Sequence, residues 1–197
     1  MVRKYIQYFK NMLEYIRNGG VVYVNVNQVI PSEQFKNKKV LITGGSSGFG
    51  FQMAKDFVAQ GAEVMITGRN PQKLADAKEK INKTKLHTIV WDQDNCSCII
   101  NKLHEVISEL GGLDIAINNA GIWNNTDWHT VAESEYDKIV DINTKGLYFL
   151  CKAEVGYFIQ NHIPAKIINI TSIEGNRPSF LPYSISKWGA KCLTEGL

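Results

Sequence analysis

A tyrosine and a lysine stand four residues apart, Tyr183 and Lys187, in the closing stretch LPYSISKWGAKCLTEGL (181–197). On a helix that spacing places both on one face, one turn apart. An ammonium beside a phenol favours the phenolate and lowers a pKa that starts at about 10. A tyrosine tuned in that way can act as general acid near neutral pH. Such a pair is also common on ordinary helix surfaces, so its weight depends on its neighbours. Three groups supply it. Thr171-Ser172 closes the apolar run KIINIT (166–171), and Asn118-Asn119-Ala120-Gly121 closes LDIAIN (113–118). Asn143 lies in DINTKG (141–146), within a helical pattern where asparagine has poor propensity; a hydrogen-bonded helix residue is the plainer explanation for it.

A second constellation stands earlier in the chain. TGGSSGFG (43–50) places Gly44, Gly48 and Gly50 around Ser46, Ser47 and Phe49. A phosphate is held by backbone N–H groups at a helix N-terminus with no Cβ in the way, and glycines at the turn supply both. Alone, a structural turn explains such glycines equally well. Here the run follows an apolar strand and opens a helix, the context a dinucleotide site requires. The next strand, EVMIT (63–67), leads into Thr67-Gly68-Arg69. An acid there would bond a ribose 2′-hydroxyl; the guanidinium of Arg69 suits a 2′-phosphate instead. A surface arginine is the alternative, and we expect NADP(H) ahead of NAD(H).

The elements that must position these residues alternate. Strands are expected at 39–43, 63–67, 86–91, 113–118 and 166–171. Helices are expected at 48–60, from Pro71 to about 82, at 95–110, through most of 131–161 and from about Tyr183. Nearly all-apolar strands, each followed by a helix, predict a parallel sheet covered on both faces, an α/β fold of the doubly wound, Rossmann type. Residues 36–197 form this domain. Residues 1–35 read as an extension: an amphipathic helix over 1–18 with Val2, Tyr5, Ile6, Phe9, Met12, Leu13 and Ile16 on one stripe, then a short strand at 21–27. That helix is expected to pack on the body or on a partner subunit, ahead of peripheral contact with a membrane surface.

The ordered set TGGSSGFG (43–50), NNAG (118–121), Asn143, Ser172 and Tyr183 with Lys187 resembles the short-chain dehydrogenase/reductase superfamily in its compact form, over residues 36–197. The resemblance implies reversible hydride transfer between a nicotinamide cofactor and a carbonyl or secondary alcohol. It implies Tyr183 as general acid, Lys187 as its activator and a bond to the nicotinamide ribose, Ser172 on the substrate oxygen, and Asn143 anchoring a water that relays protons to Lys187. It further implies Asp92 beside the adenine, and Asn119, Ala120 and Gly121 along the cofactor with the glycine loop. Homodimers or homotetramers are implied too. The chain departs from the pattern in a shortened Ser172–Tyr183 loop, in Phe49 where isoleucine is usual, and in ending soon after Lys187, ahead of the later strands and the substrate cover. A catalytically silent nucleotide-binding or scaffold protein is therefore the alternative, and a fragment of an ordinary enzyme a third.

Composition narrows the rest. The 197 residues carry a formal charge of +3, with 44% hydrophobic and 21% charged residues. That is globular usage, with no basic run to suggest nucleic acid. No apolar stretch approaches a membrane span, no secretory leader shows, and Cys96, Cys98, Cys151 and Cys192 lack zinc spacing. Free thiols in a cytoplasmic protein without a metal are expected.

Overall fold

The computed structural model describes residues 10, 12–13, 15–17, 33–81, 84–124 and 127–197. The chain divides into two compact units, Met1–Ile30 and Pro31–Leu197. In the first, every described position between Lys10 and Arg17 is helical. The strand expected at 21–27 lies outside the described residues.

The second unit alternates strand and helix. Its strands are β1 (Lys39–Ile42), β2 (Glu63–Gly68), β3 (Leu86–Val90), β4 (Ile115–Asn118) and β5 (Lys166–Asn169). Its helices are α1 (Gly48–Ala59), α2 (Pro71–Ile81), α3 (Ile99–Leu110), α4 (Glu133–Val140), α5 (Leu147–Gln160) and α6 (Pro182–Gly196). All strand pairs are parallel, in the order β3-β2-β1-β4-β5, with Val40 level with Val64 on one side and Ile115 on the other. This is the doubly wound α/β fold that the strand–helix alternation predicts.

Side chains alternate between two cores, as strand geometry requires. Val40, Ile42, Val64, Ile66 and Ile117 meet Ala54, Val58, Leu74 and Ala77 of α1 and α2. Leu41, Met65 and Ala116 point the other way, onto Leu103, Val106 and Leu110 of α3 and Leu150 and Phe158 of α5. Each buried aliphatic side chain contributes about 1.5–3 kcal/mol. β5 differs: it edges the sheet of the described residues, and Ile168 on it is exposed.

Two breaks in helical regularity matter for the site. The helix expected through 131–161 is interrupted by a π-helical segment, Asp141–Gly146, between α4 and α5. The helix expected from 95 begins at Ile99, after a 3-10 turn over Cys96–Cys98. The glycine that ends α3, Gly111, adopts φ 70°, the left-handed cap its residue type permits.

Candidate active site

The carboxyl ends of β1, β4 and β5 open on one crevice, where the order of the sheet reverses about β1. The loop after β1 turns at Gly44, with φ 65°, and at Gly48, with φ 57°, both in the left-handed region. A Cβ on Gly44 would meet the Ala120 Cα at 2.9 Å, so the loop can lie this close to the β4 end only as glycine. Gly50 is different from its companions. It is buried under the loop, where a Cβ would stand 2.5 Å from the Gly44 carbonyl oxygen and 2.6 Å from Asn119 Nδ2. Its role is packing of α1 against the loop rather than lining the groove.

Asn119 ties the two loops together. Its Nδ2 donates to the carbonyls of Thr43 (3.0 Å) and Gly44 (3.1 Å). The backbone N–H groups of Asn119 and Ala120 both donate to Thr43 Oγ1, at 3.1 and 3.0 Å. Thr43 was not among the residues singled out from sequence, although it opens the glycine motif.

From this loop a groove runs two ways. One arm is lined by Ser46, Ser47, Gly68, Arg69, Lys73, Trp91, Asp92, Gln93 and Gly121. Burial pushes the Asp92 carboxyl above its ordinary range; the Asp94 charge adds to this and Arg69 opposes it. Among the described residues, Asp92 Oδ1 has no hydrogen-bond partner. Lys73 and Gln93 are further residues that sequence reasoning missed. The signal for Lys73 was its place in the first turn of α2, four after Arg69.

The other arm is lined by Phe49, Asn119, Ala120, Gly121, Trp123, Thr171, Ser172, Tyr183 and Lys187. The tyrosine, serine and lysine expected to act together thus share one cleft. Phe49 is 84% exposed at its edge, which explains how the site accepts it in place of a smaller aliphatic residue. Lys187 is buried, and its Nζ donates to the Ile170 carbonyl at 2.9 Å and lies 5.8 Å from the centre of the Tyr183 ring. Burial lowers its pKa.

The helix carrying this pair is clamped on both sides. Pro182 occupies the start of α6, where its missing N–H costs nothing. On one side, a Cβ on Gly175 would meet the Lys187 carbonyl oxygen at 2.7 Å, and Ser184 Oγ donates to Glu174 Oε2 at 3.0 Å. On the other, Thr144 Oγ1 donates to the Ser186 carbonyl at 3.2 Å. Asn143 is buried in the π-helical segment. Its Oδ1 accepts from the Ile122 N–H (2.8 Å), and its Nδ2 donates to the Ile122 carbonyl (2.9 Å) and Ser186 Oγ (3.1 Å). Its side chain therefore fixes the loop after β4 to α6. Ser172 Oγ accepts from the Glu174 N–H at 3.2 Å, which leaves the hydroxyl hydrogen free to point elsewhere.

The sequence model of the short chain dehydrogenases matches residues 38–197. The chain belongs to that family. It is 31% identical over 163 residues to the gluconate 5-dehydrogenase of Gluconobacter oxydans (strain 621H), covering 81% of this chain and 63% of that protein. It is 31% identical over 158 residues to the 3-oxoacyl-acyl-carrier-protein reductase FabG of Chlamydia muridarum (strain MoPn / Nigg), covering 78% of this chain and 63% of that one. Among solved structures, a short chain dehydrogenase from Bacillus anthracis superposes with TM-score 0.76 at 30% identity, covering 81% of this chain and 68% of the other. A metagenomic short-chain oxidoreductase in complex with NADP superposes with TM-score 0.75 at 28% identity, covering 82% and 75%. The chain spans 60–63% of the length of the curated relatives it matches.

Proposed function

We propose that the protein is an NADP(H)-dependent oxidoreductase that interconverts a carbonyl and a secondary alcohol. The observation that carries this reading is the single cleft joining Ser172, Tyr183 and Lys187 to the glycine loop through Ala120 and Gly121. The cofactor supplies or receives the hydride. Ser172 holds the substrate oxygen, and the Tyr183 phenol delivers its proton to that oxygen in the reductive direction. Lys187 faces the phenol from the next turn and would bond the nicotinamide ribose; its Nζ lies 3.5 Å from where a Cβ on Gly121 would stand, at the edge of the glycine arm. Asn143 holds the Ile122 backbone and Ser186 in place beneath them.

The residues present suit a nicotinamide dinucleotide phosphate. Glycines leave room along the loop, Asp92 keeps an acceptor unpartnered for an adenine amine, and Arg69 and Lys73 line the same arm as Ser46. Two cations and a hydroxyl around one corner favour a 2′-phosphate over a bare hydroxyl. Tyr148, Phe149 and Ile159 are exposed on α5 and support self-association as a homodimer or homotetramer.

The test compares NADPH and NADH binding. Arg69→Ala should weaken NADPH by about 10- to 100-fold, the equivalent of one lost charge-assisted contact, and leave NADH unchanged. Equal affinity of the parent for both cofactors would overturn the NADP reading. Tight NADPH binding without oxidation by any carbonyl would favour the catalytically silent alternative.

A further inference from the structure

Beneath the crevice lies a polar cluster that the proposed chemistry does not use. Glu154, on the inner face of α5, is fully buried. Its Oε2 accepts from Asn118 Nδ2 at 2.9 Å, and its Oε1 has no partner among the described residues. The same Asn118 amide lies 3.0 Å from Asn169 Oδ1 and 3.5 Å from Cys151 Sγ. Asn169 Nδ2 donates onward to Thr194 Oγ1 of α6 at 3.0 Å. The cluster thus joins the last residue of β4, the last residue of β5, and two helices.

Its hydrogen count does not balance. Asn118 offers two N–H hydrogens and Cys151 one S–H, directed to Asn169 Oδ1 at 3.4 Å. Glu154 Oε1 and Asn118 Oδ1 are both left as acceptors without donors. Turning the Asn118 amide over would set its oxygen against both the carboxylate and Asn169 Oδ1, so the carboxylate would need a hydrogen and the Asn169 amide would have to turn too. A fully buried carboxylate with a single donor against it is costly as an anion, and one proton on Glu154 removes that charge.

We propose that Glu154 is a positioning residue that holds a proton at neutral pH, and that losing it loosens the paired ends of β4 and β5. Those ends lead directly into the site. Asn118 precedes Asn119, which ties down the glycine loop, and Asn169 precedes Ile170, whose carbonyl anchors Lys187. The chemistry around the carboxyl agrees: burial pushes it to about 8 from an ordinary 4.5, with the Asn118 bond opposing. Cys151, on the same helix, is the titratable group close enough to sense Glu154, and burial pushes its thiol to about 12, so it stays neutral in this range. Asn118 of β4 meets the carboxyl, Asn169 of β5 meets Asn118 and Thr194 of α6 meets Asn169, and none of the three titrates.

The sign follows from linkage. The folded chain holds a proton that the unfolded chain releases, so this contribution to stability is complete below pH 4.5 and is lost as pH rises to about 8. The inference does not rest on the cofactor reading, and neither does its test. Thermal unfolding and amide hydrogen exchange are measured from pH 5 to 9 on the parent and on Glu154→Gln, whose amide imitates the protonated acid. The Tm of the parent should fall relative to the variant as pH rises to 8. Protection of the Asn119 and Ala120 amides, corrected for intrinsic exchange, should drop severalfold between pH 7 and 9 in the parent alone. Parallel Tm profiles overturn the proton; parallel exchange profiles overturn the positioning role. Should Glu154→Gln not fold, infrared spectroscopy of the parent decides: a protonated carboxylic acid band at pH 7 that fades near pH 8 supports the proposal, and its absence at pH 7 ends it.

Discussion

The two arms of the crevice are built differently. The glycine arm rests on β1, β2 and β4, whose central residues are fully buried, and on backbone approaches so close that no Cβ fits at Gly44 or Gly50. The tyrosine arm hangs on β5, an edge strand with half-exposed residues, and on α6. Beside the close approach at Gly175, hydrogen bonds between side chains of different elements hold it: Asn143 to Ser186, Ser184 to Glu174, Asn169 to Thr194. Steric fit in a close-packed core tolerates almost no change, whereas a hydrogen-bonded arm can lose one tie and keep its shape. The glycine arm, proposed to bind the cofactor, should therefore be brittle, and the tyrosine arm, proposed to react, should be adjustable.

Three substitutions would break or sharpen that contrast. The largest effect is expected at Tyr183→Phe, which should cut carbonyl-dependent NADPH oxidation by about 10²- to 10⁴-fold, the range for loss of a general acid. NADPH affinity should stay within about twofold by titration; lost binding would mean that the two arms are not separable. Gly50→Val comes next. Forcing a side chain between the Gly44 carbonyl and Asn119 should cost about 1–3 kcal/mol in a denaturant melt and remove NADPH binding. An unchanged variant would show that the loop has slack. Asn169→Ala should be mildest, about 1 kcal/mol for the ties it removes, with NADPH binding retained. A loss as large as that of Gly50→Val would place both arms in one brittle unit.

The same contrast explains what could be read from sequence. The strand positions and the glycine loop were legible because they depend on local pattern: all-apolar runs such as VLI and VMI, buried on both faces, and glycines where φ is positive. Tyr183, Lys187 and Ser172 were legible by spacing and by strand ends. Thr43 escaped notice because a threonine at a strand end carries no pattern; only Asn119 and Ala120 arriving 76 and 77 residues later give its hydroxyl a task. Glu154 escaped for a related reason. Within KAEVGYF it reads as a surface acid of an amphipathic helix, and only the β4 and β5 asparagines reveal that it faces inward. The π-helical segment was invisible because DINTKG has no signature that separates it from an ordinary turn of helix.

That segment has a consequence for how the chain tolerates change in length. A π-helical stretch is equivalent to one extra residue accommodated inside an α-helix. Removing a single residue from 141–146 would let α4 and α5 join as one regular α-helix, with the residues beyond kept on the faces they now occupy. Leu150, Glu154 and Phe158 would stay against the sheet, whereas the same deletion inside α5, ahead of them, would turn them about 100° away from it. The one place where this helix can lose a residue without changing which face meets the strands is the segment that holds Asn143.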